Sequence, residues 1–316
     1  MTDVLQVRGL TVDYRRHGTR LRAVDGVDVT LRAGQTVALV GESGSGKSTV
    51  VRALARFVRP SAGTILLHGS ASHRNRRYRR SLQVVFQDPF ASLNPMHTVG
   101  HHVRRPLLVH GTDIPVDDAV AALLTSVNLV PAQDIAAKRP HELSGGQRQR
   151  VAIARALATN PDVLLADEPV SMLDVSIRLE ILGLLDRLRT ERNLAMLYVT
   201  HDLATARHFA SEILVMYRGR IVERGPSDQV ILTPRHPYTQ LLAQSAPRRS
   251  RSRVAPVAKA APTPRVPAGG DACVFIARCP HAMPACARRP PDVPVADGVV
   301  VSCWLADLDA PAPVVG

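Results

Sequence analysis

Between residues 4 and 31 apolar and polar positions alternate in short runs, as in Val24-Asp-Gly-Val-Asp-Val-Thr-Leu31. A period of two predicts antiparallel strands with one solvated face. The run Val37–Val40 is apolar throughout and predicts a buried strand. A glycine-rich turn follows it, and Lys47 to Phe57 can continue as a helix. Gly63–Gly69 and Leu82–Phe86 read as further strands. From Val99 to Ala158 the spacing becomes helical, with breaks expected at Pro106, Pro115, Pro131 and Pro140. Strands return at Val163–Ala166, Leu194–Val199 and Ile213–Tyr217, with an amphipathic helix Val175–Arg189 between the first two. Strand–helix alternation of this kind predicts a mostly parallel sheet covered by helices. Near Gln244 the periodicity stops. Residues 247–270 are rich in Pro, Arg, Ala and Ser and read as a linker, followed by a cysteine-bearing tail.

Composition narrows the possibilities. The formal charge of +13 would suit contact with nucleic acid or an anionic membrane surface. The arginines are spread widely, however; the run Arg248–Arg253 holds no aromatic and Arg74–Arg80 holds only Tyr78, short of the interleaved aromatics of a base-stacking platform. No stretch approaches the ~18 apolar residues of a spanning helix. Residues Met1 to Gln6 lack the basic-then-apolar plan of a signal peptide. A soluble, intracellular chain is therefore expected, reaching any membrane through a partner. Cys273, Cys279, Cys286 and Cys303 crowd the C-terminal tail. In a reducing compartment that clustering points to metal rather than disulfides.

The turn after Val40 carries the first chemistry. Gly41-x4-Gly46-Lys47-Ser48 has the spacing of a P-loop, in the strand–turn–helix context the motif needs. Its glycines let backbone amides turn inward as an anion nest, and the helix N-terminus adds partial positive charge. Gly41, Ser43, Gly44, Gly46, Lys47, Ser48 and Thr49 are thus expected to hold a nucleoside triphosphate. Lys47 would reach the β- and γ-phosphates, and Ser48 would ligate Mg²⁺. Asp167 and Glu168 end a short apolar strand; the first can hold Mg²⁺ and the second can orient and deprotonate the attacking water. Ser144 fits an N-cap, and Gly145 and Gly146 behind it would offer amides to an anion.

Leu143-Ser144-Gly145-Gly146-Gln147, about a hundred residues after the P-loop, resembles the signature motif of ATP-binding-cassette (ABC) ATPases. The resemblance covers residues 1 to about 245. It implies a RecA-like P-loop NTPase fold: a mostly parallel sheet with helices, an antiparallel β subdomain and an α-helical subdomain at about 88–158. It assigns Gln87 to the Q-loop, where it touches metal and water and couples to the transmembrane partner. His201 becomes the switch histidine at the γ-phosphate, and Asp174 the D-loop aspartate, with Met172 where Ala is commoner. Tyr14, 27 residues before Gly41, matches the aromatic that stacks on adenine. Two such cassettes are implied to face each other head to tail, each ATP lying between one P-loop and the other's Ser144–Gln147.

Arg235-His236-Pro237-Tyr238-Thr239, the Phe86–Pro95 stretch and the cysteine tail are similar to ATPase subunits of oligopeptide/dipeptide uptake transporters, a group that includes nickel and opine importers. The form around Gln87 leans to the second, F-type ATPase. This resemblance implies a cassette over 1–246, a linker over 247–270 and a Cys-rich extension over 271–316. It implies a heterodimeric cassette pair, two permease subunits and an extracytoplasmic binding protein as partners. The chain would lie peripherally on the cytoplasmic face of the membrane, with no nucleic acid expected. The cysteine spacing lacks the close pairs usual for zinc and suits a larger cluster. A [4Fe–4S] cluster, which the resemblance also implies, zinc, and free thiols all remain open. The rival reading is a soluble ABC ATPase acting on nucleic acid, in repair or translation.

Overall fold

The alternating N-terminal run folds into a long hairpin. Strands β1 (Asp3–Arg16) and β2 (Thr19–Arg32) pair antiparallel, and Val7, Leu10, Val12, Val24, Val27 and Val29 point into one core. The computed structural model describes residues 2–16, 19–71, 76–245 and 271–308, so the expected linker over 247–270 lies outside the described residues. Strands β3 (Thr36–Val40), β4 (Ala62–Leu67) and β5 (Ser70–Ala71) follow. β4 and β5 join the hairpin in an antiparallel sheet of order β2-β1-β4-β5.

A second sheet forms the centre. Its strands include β6 (Leu82–Val85), β7 (Val163–Asp167), β8 (Ala195–Thr200), β9 (Glu212–Tyr217) and β10 (Arg220–Pro226). The tail adds β11 (Asp292–Pro294) and β12 (Val300–Ser302), giving the order β11-β12-β10-β9-β3-β8-β7-β6. β9, β3, β8, β7 and β6 run parallel, whereas β10, β12 and β11 are antiparallel. The parallel strands are apolar because both faces are covered. Val37, Leu39, Leu165 and Leu197 face the hairpin sheet and the helix Lys47–Leu54. Ala38, Val40, Ala166 and Tyr198 face the helices beyond.

Between β6 and β7 lie the helices Val99–His110, Val116–Ser126, Ala132–Ala137 and Gly145–Leu157. Pro115, Pro131 and Pro140 stand at element starts, as their missing amide favours. Pro106 does not break its helix. It sits inside Val99–His110, where burial of Val103 and Leu107 outweighs the one backbone bond it removes. The helix after the P-loop ends at Leu54, before the expected Phe57, because Arg56 turns left-handed at φ 60°.

Candidate functional site

Glycine at two P-loop positions is dictated by close backbone approach. A Cβ on Gly41 would lie 2.2 Å from the Met216 carbonyl oxygen, and one on Gly46 would lie 2.5 Å from that of Ala23. The helix then begins at Lys47, with Ser43 and Gly44 exposed at the crown of the turn. Lys47 is buried, and its Nζ donates to the carbonyls of Gly41 (2.8 Å) and Glu42 (2.9 Å). Burial pulls the Lys47 pKa down, while the carboxylates of Glu168, Asp167 and Glu42 oppose that shift. Ser48 Oγ donates to Asp167 Oδ1 at 3.2 Å, and Thr49 follows on the same helix turn. Burial pushes the Asp167 carboxyl up, and the Ser48 bond partly reverses this. A hydroxyl and a buried carboxylate side by side form a hard-oxygen pair that fits Mg²⁺.

Glu168 follows directly and joins the other predicted groups. Its Oε2 accepts from Gln87 Nε2 at 3.3 Å and lies 3.4 Å from His201 Nδ1. The backbone holds Glu168 at φ 47°, with its amide donating to the Val199 carbonyl at 3.0 Å. A non-glycine residue in this region carries strain of the kind found at functional sites. Gln87 follows β6, Asp167 and Glu168 close β7, His201 follows β8, and the P-loop follows β3. Six predicted residues therefore meet at the carboxyl ends of parallel strands, where open α/β sheets bind ligands.

The remaining predicted residues are placed elsewhere. Ser144 caps the helix Gly145–Leu157: its Oγ accepts the Gln147 amide at 3.2 Å, and Gln147 Oε1 accepts the Ser144 amide at 2.9 Å. This reciprocal box leaves the Gly145 and Gly146 amides without intrahelical acceptors. Gly146 has a further reason to be glycine, since a Cβ there would sit 2.7 Å from Ile177 Cγ2. Asp174 starts the neighbouring helix Val175–Glu191, so signature and D-loop segments adjoin. Among the described residues Ser144 and Gln147 bond each other rather than the P-loop group. Tyr14 stays on β1 opposite Leu21, packed against the hairpin core.

Sequence reasoning missed a second set of contacts on the P-loop. Tyr238 is fully buried, and its hydroxyl accepts the Glu42 amide at 2.9 Å. Arg278 grips the Glu42 carboxylate with two bonds, of 2.9 and 3.0 Å. The only hint in the sequence was an acidic residue inside an anion-binding loop, which needs a cation nearby.

The tail supplies Arg278 from between its first two cysteines. Cys273, Cys279, Cys286 and Cys303 are all buried and unbridged. Burial pushes the Cys273 thiol up to about 11, with Cys286, Cys303 and Cys279 close enough to add to the shift. The four thiols thus converge, yet among the described residues no three His, Cys, Asp or Glu side chains are gathered tightly enough for one metal ion. As placed, they make no metal-binding group, either for zinc or for the expected iron–sulfur cluster. Among the described residues, no helix is long and apolar enough to cross a membrane.

Residues 24–171 match the family described as ABC transporter, and residues 222–286 match the oligopeptide/dipeptide transporter, C-terminal region. The chain is 42% identical to a probable peptide ABC transporter ATP-binding protein, y4tS of Sinorhizobium fredii, over 95% of this chain and 89% of that protein. It is likewise 42% identical to the oligopeptide transport ATP-binding protein AppF of Bacillus subtilis, over 88% of each. The solved ATP-binding cassette MJ0796, a dimer bound to ADP and Pi, superposes with a TM-score of 0.62 at 28% identity, covering 71% of this chain and 98% of that one. Aligned with such proteins over most of its length, the chain belongs to the ABC transporter family of ATP-binding proteins.

Proposed function

We propose that this chain is the ATP-hydrolysing subunit of an importer of peptides or related small solutes. The observation that carries the reading is the Glu168 carboxylate, held between Gln87 and His201 and adjoining the Lys47–Ser48–Asp167 group. In this reading Gly41, Ser43, Gly44, Gly46, Lys47, Ser48 and Thr49 bind the triphosphate, and Ser48, Asp167 and Gln87 hold Mg²⁺. The metal would neutralise charge on the phosphates. Glu168 accepts the proton of the attacking water, and His201 and Gln87 keep its carboxylate aimed.

Ser144, Gly145, Gly146 and Gln147 serve the partner cassette's nucleotide, because one P-loop alone offers too few donors for a triphosphate being cleaved. The dimer of MJ0796 supports a paired arrangement. Asp174 lies at the seam and Tyr14 stacks on adenine. The cassette spans 1–246, with a helical subdomain at 88–158, and pairs with a related cassette beneath two permease subunits on the cytoplasmic face. An extracytoplasmic binding protein delivers the solute. Relatives named for peptide transport favour this over action on nucleic acid.

In this reading Cys273, Cys279, Cys286 and Cys303, all buried in the tail and spaced too widely for the usual zinc pairs, hold a [4Fe–4S] cluster with a structural role. Reconstitution with the membrane subunits and binding protein tests the whole reading. ATP hydrolysis is expected to rise on adding solute-loaded binding protein. Stimulation by DNA or RNA instead would overturn it.

A further inference from the structure

The His-Pro-Tyr-Thr segment marks the transporter group in sequence, but nothing in the hydrolysis reading uses it. Its fold shows a job. The Arg235 and His236 amides donate to the two oxygens of buried Glu223 at 2.8 and 3.0 Å. His236 Nδ1 accepts the Tyr238 amide at 3.0 Å, which sets the turn that carries Tyr238 inward. The Tyr238 ring then packs at a tilt in a closed aromatic group with Tyr217 (4.6 Å between centroids) and Phe275 (5.5 Å). Over Tyr217 and Phe275 lies the Arg278 guanidinium, 5.7 and 5.8 Å from their centroids.

Both outward ends of this assembly finish on Glu42. Tyr238 Oη accepts its amide, and Arg278 takes both carboxylate oxygens. The Glu42 carbonyl is in turn an acceptor for Lys47 Nζ. We propose that Tyr238 and Arg278 are positioning residues for nucleotide binding: they brace the P-loop from outside, and Arg278 cancels a carboxylate that would otherwise repel the triphosphate.

Two physical effects support this. A glycine-rich turn is loose by itself, and a nest binds anions well only when its amides are already aimed. Holding Glu42 by its amide and side chain removes part of the ordering cost of binding. The second effect is charge. Glu42 sits between Gly41 and the crown of a loop built for a polyanion, so its carboxylate opposes binding unless a fixed cation offsets it. A planar guanidinium with two parallel bonds does this with defined geometry, which an ammonium cannot match.

The inference rests on the P-loop being the ATP site, and the test separates the two. A fluorescent ATP analogue is titrated onto the full-length chain, and Lys47→Ala is expected to abolish binding. If Lys47→Ala binds like the parent, the P-loop reading itself fails. Arg278→Gln is expected to weaken binding about threefold to tenfold, as loss of a half-exposed ion pair beside a charged ligand would. Adding Glu42→Gln to that variant should restore most of the affinity, because the unpaired charge is gone. The Arg278→Gln loss should also shrink at high salt. Tyr238→Phe keeps the aromatic packing and removes only the acceptor, and about a threefold loss is expected. Parental affinity in both Arg278→Gln and Tyr238→Phe would overturn the brace. A loss in Arg278→Gln that Glu42→Gln cannot repair would overturn the charge-cancelling role.

Discussion

Replacing Glu168 with Gln is the sharpest perturbation of the proposed hydrolytic centre. The substitution is isosteric, and a glutamine carbonyl can occupy the place of Oε2, 3.3 Å from Gln87 Nε2 and 3.4 Å from His201 Nδ1. Both neighbours keep an acceptor, so the local geometry has little reason to move. In the proposed mechanism, what is lost is the proton-accepting carboxylate. General-base catalysis contributes about 10²- to 10⁴-fold, equivalent to roughly 3–5 kcal/mol of barrier. Hydrolysis should fall by at least that factor. Nucleotide binding responds differently, because removing a negative charge beside a polyanion relieves repulsion. Lys47 also keeps Asp167 and Glu42 as nearby carboxylates. Phosphate release at saturating MgATP, measured alongside an equilibrium titration of nucleotide, reads the two effects separately. Turnover at the parental rate would remove Glu168 from the base role. A matching loss of affinity would instead make its role one of shaping the site.

Three further outcomes follow from other parts of the structure. Gly146→Ala should destabilise the protein by about 1–3 kcal/mol, since its Cβ meets Ile177 Cγ2; combined with Ile177→Ala the losses should be less than additive in denaturant melts. Burial holds His236 neutral, with its pKa at about 4 against an ordinary 6.5. The unfolded chain therefore binds the extra proton in that window, so stability falls as pH drops through it, by on the order of 3 kcal/mol in all. Melting temperatures across pH should show this slope for the parent and a flatter one for His236→Asn. Protein purified without oxygen should show broad visible iron–sulfur absorbance that is lost on Cys→Ser substitution; a colourless sample with one zinc per chain would exclude the cluster.

Much of the candidate site was legible because each piece is a local pattern. An apolar run, a glycine-spaced turn and a following helix place Lys47 and Ser48. The same logic puts Asp167 and Glu168 at the end of a strand covered on both faces. Contacts between distant segments were not legible. Glu42 and Arg278 are 236 residues apart, and no periodicity links them. β11 and β12 are three residues long, too short to show alternation, and exist through pairing with each other and with β10. At Pro106 a sound local rule lost to burial of its helix neighbours. Gly146 looked like an amide donor, whereas its close approach to Ile177 is equally demanding.

The pairing of β12 with β10, through Glu223–Val301 and Arg224–Val300, has a consequence for how the chain can be cut. A bare outer strand offers a row of unpaired amides and carbonyls to any passing chain, which invites aggregation. β12 and β11 cover that row on the β10 side. Truncation before residue 271 would uncover it, together with the aromatic floor under Phe275, and should yield a sticky product rather than a minimal ATPase. The tail is therefore a selvedge woven into the cassette, not a pendant that can be snipped away.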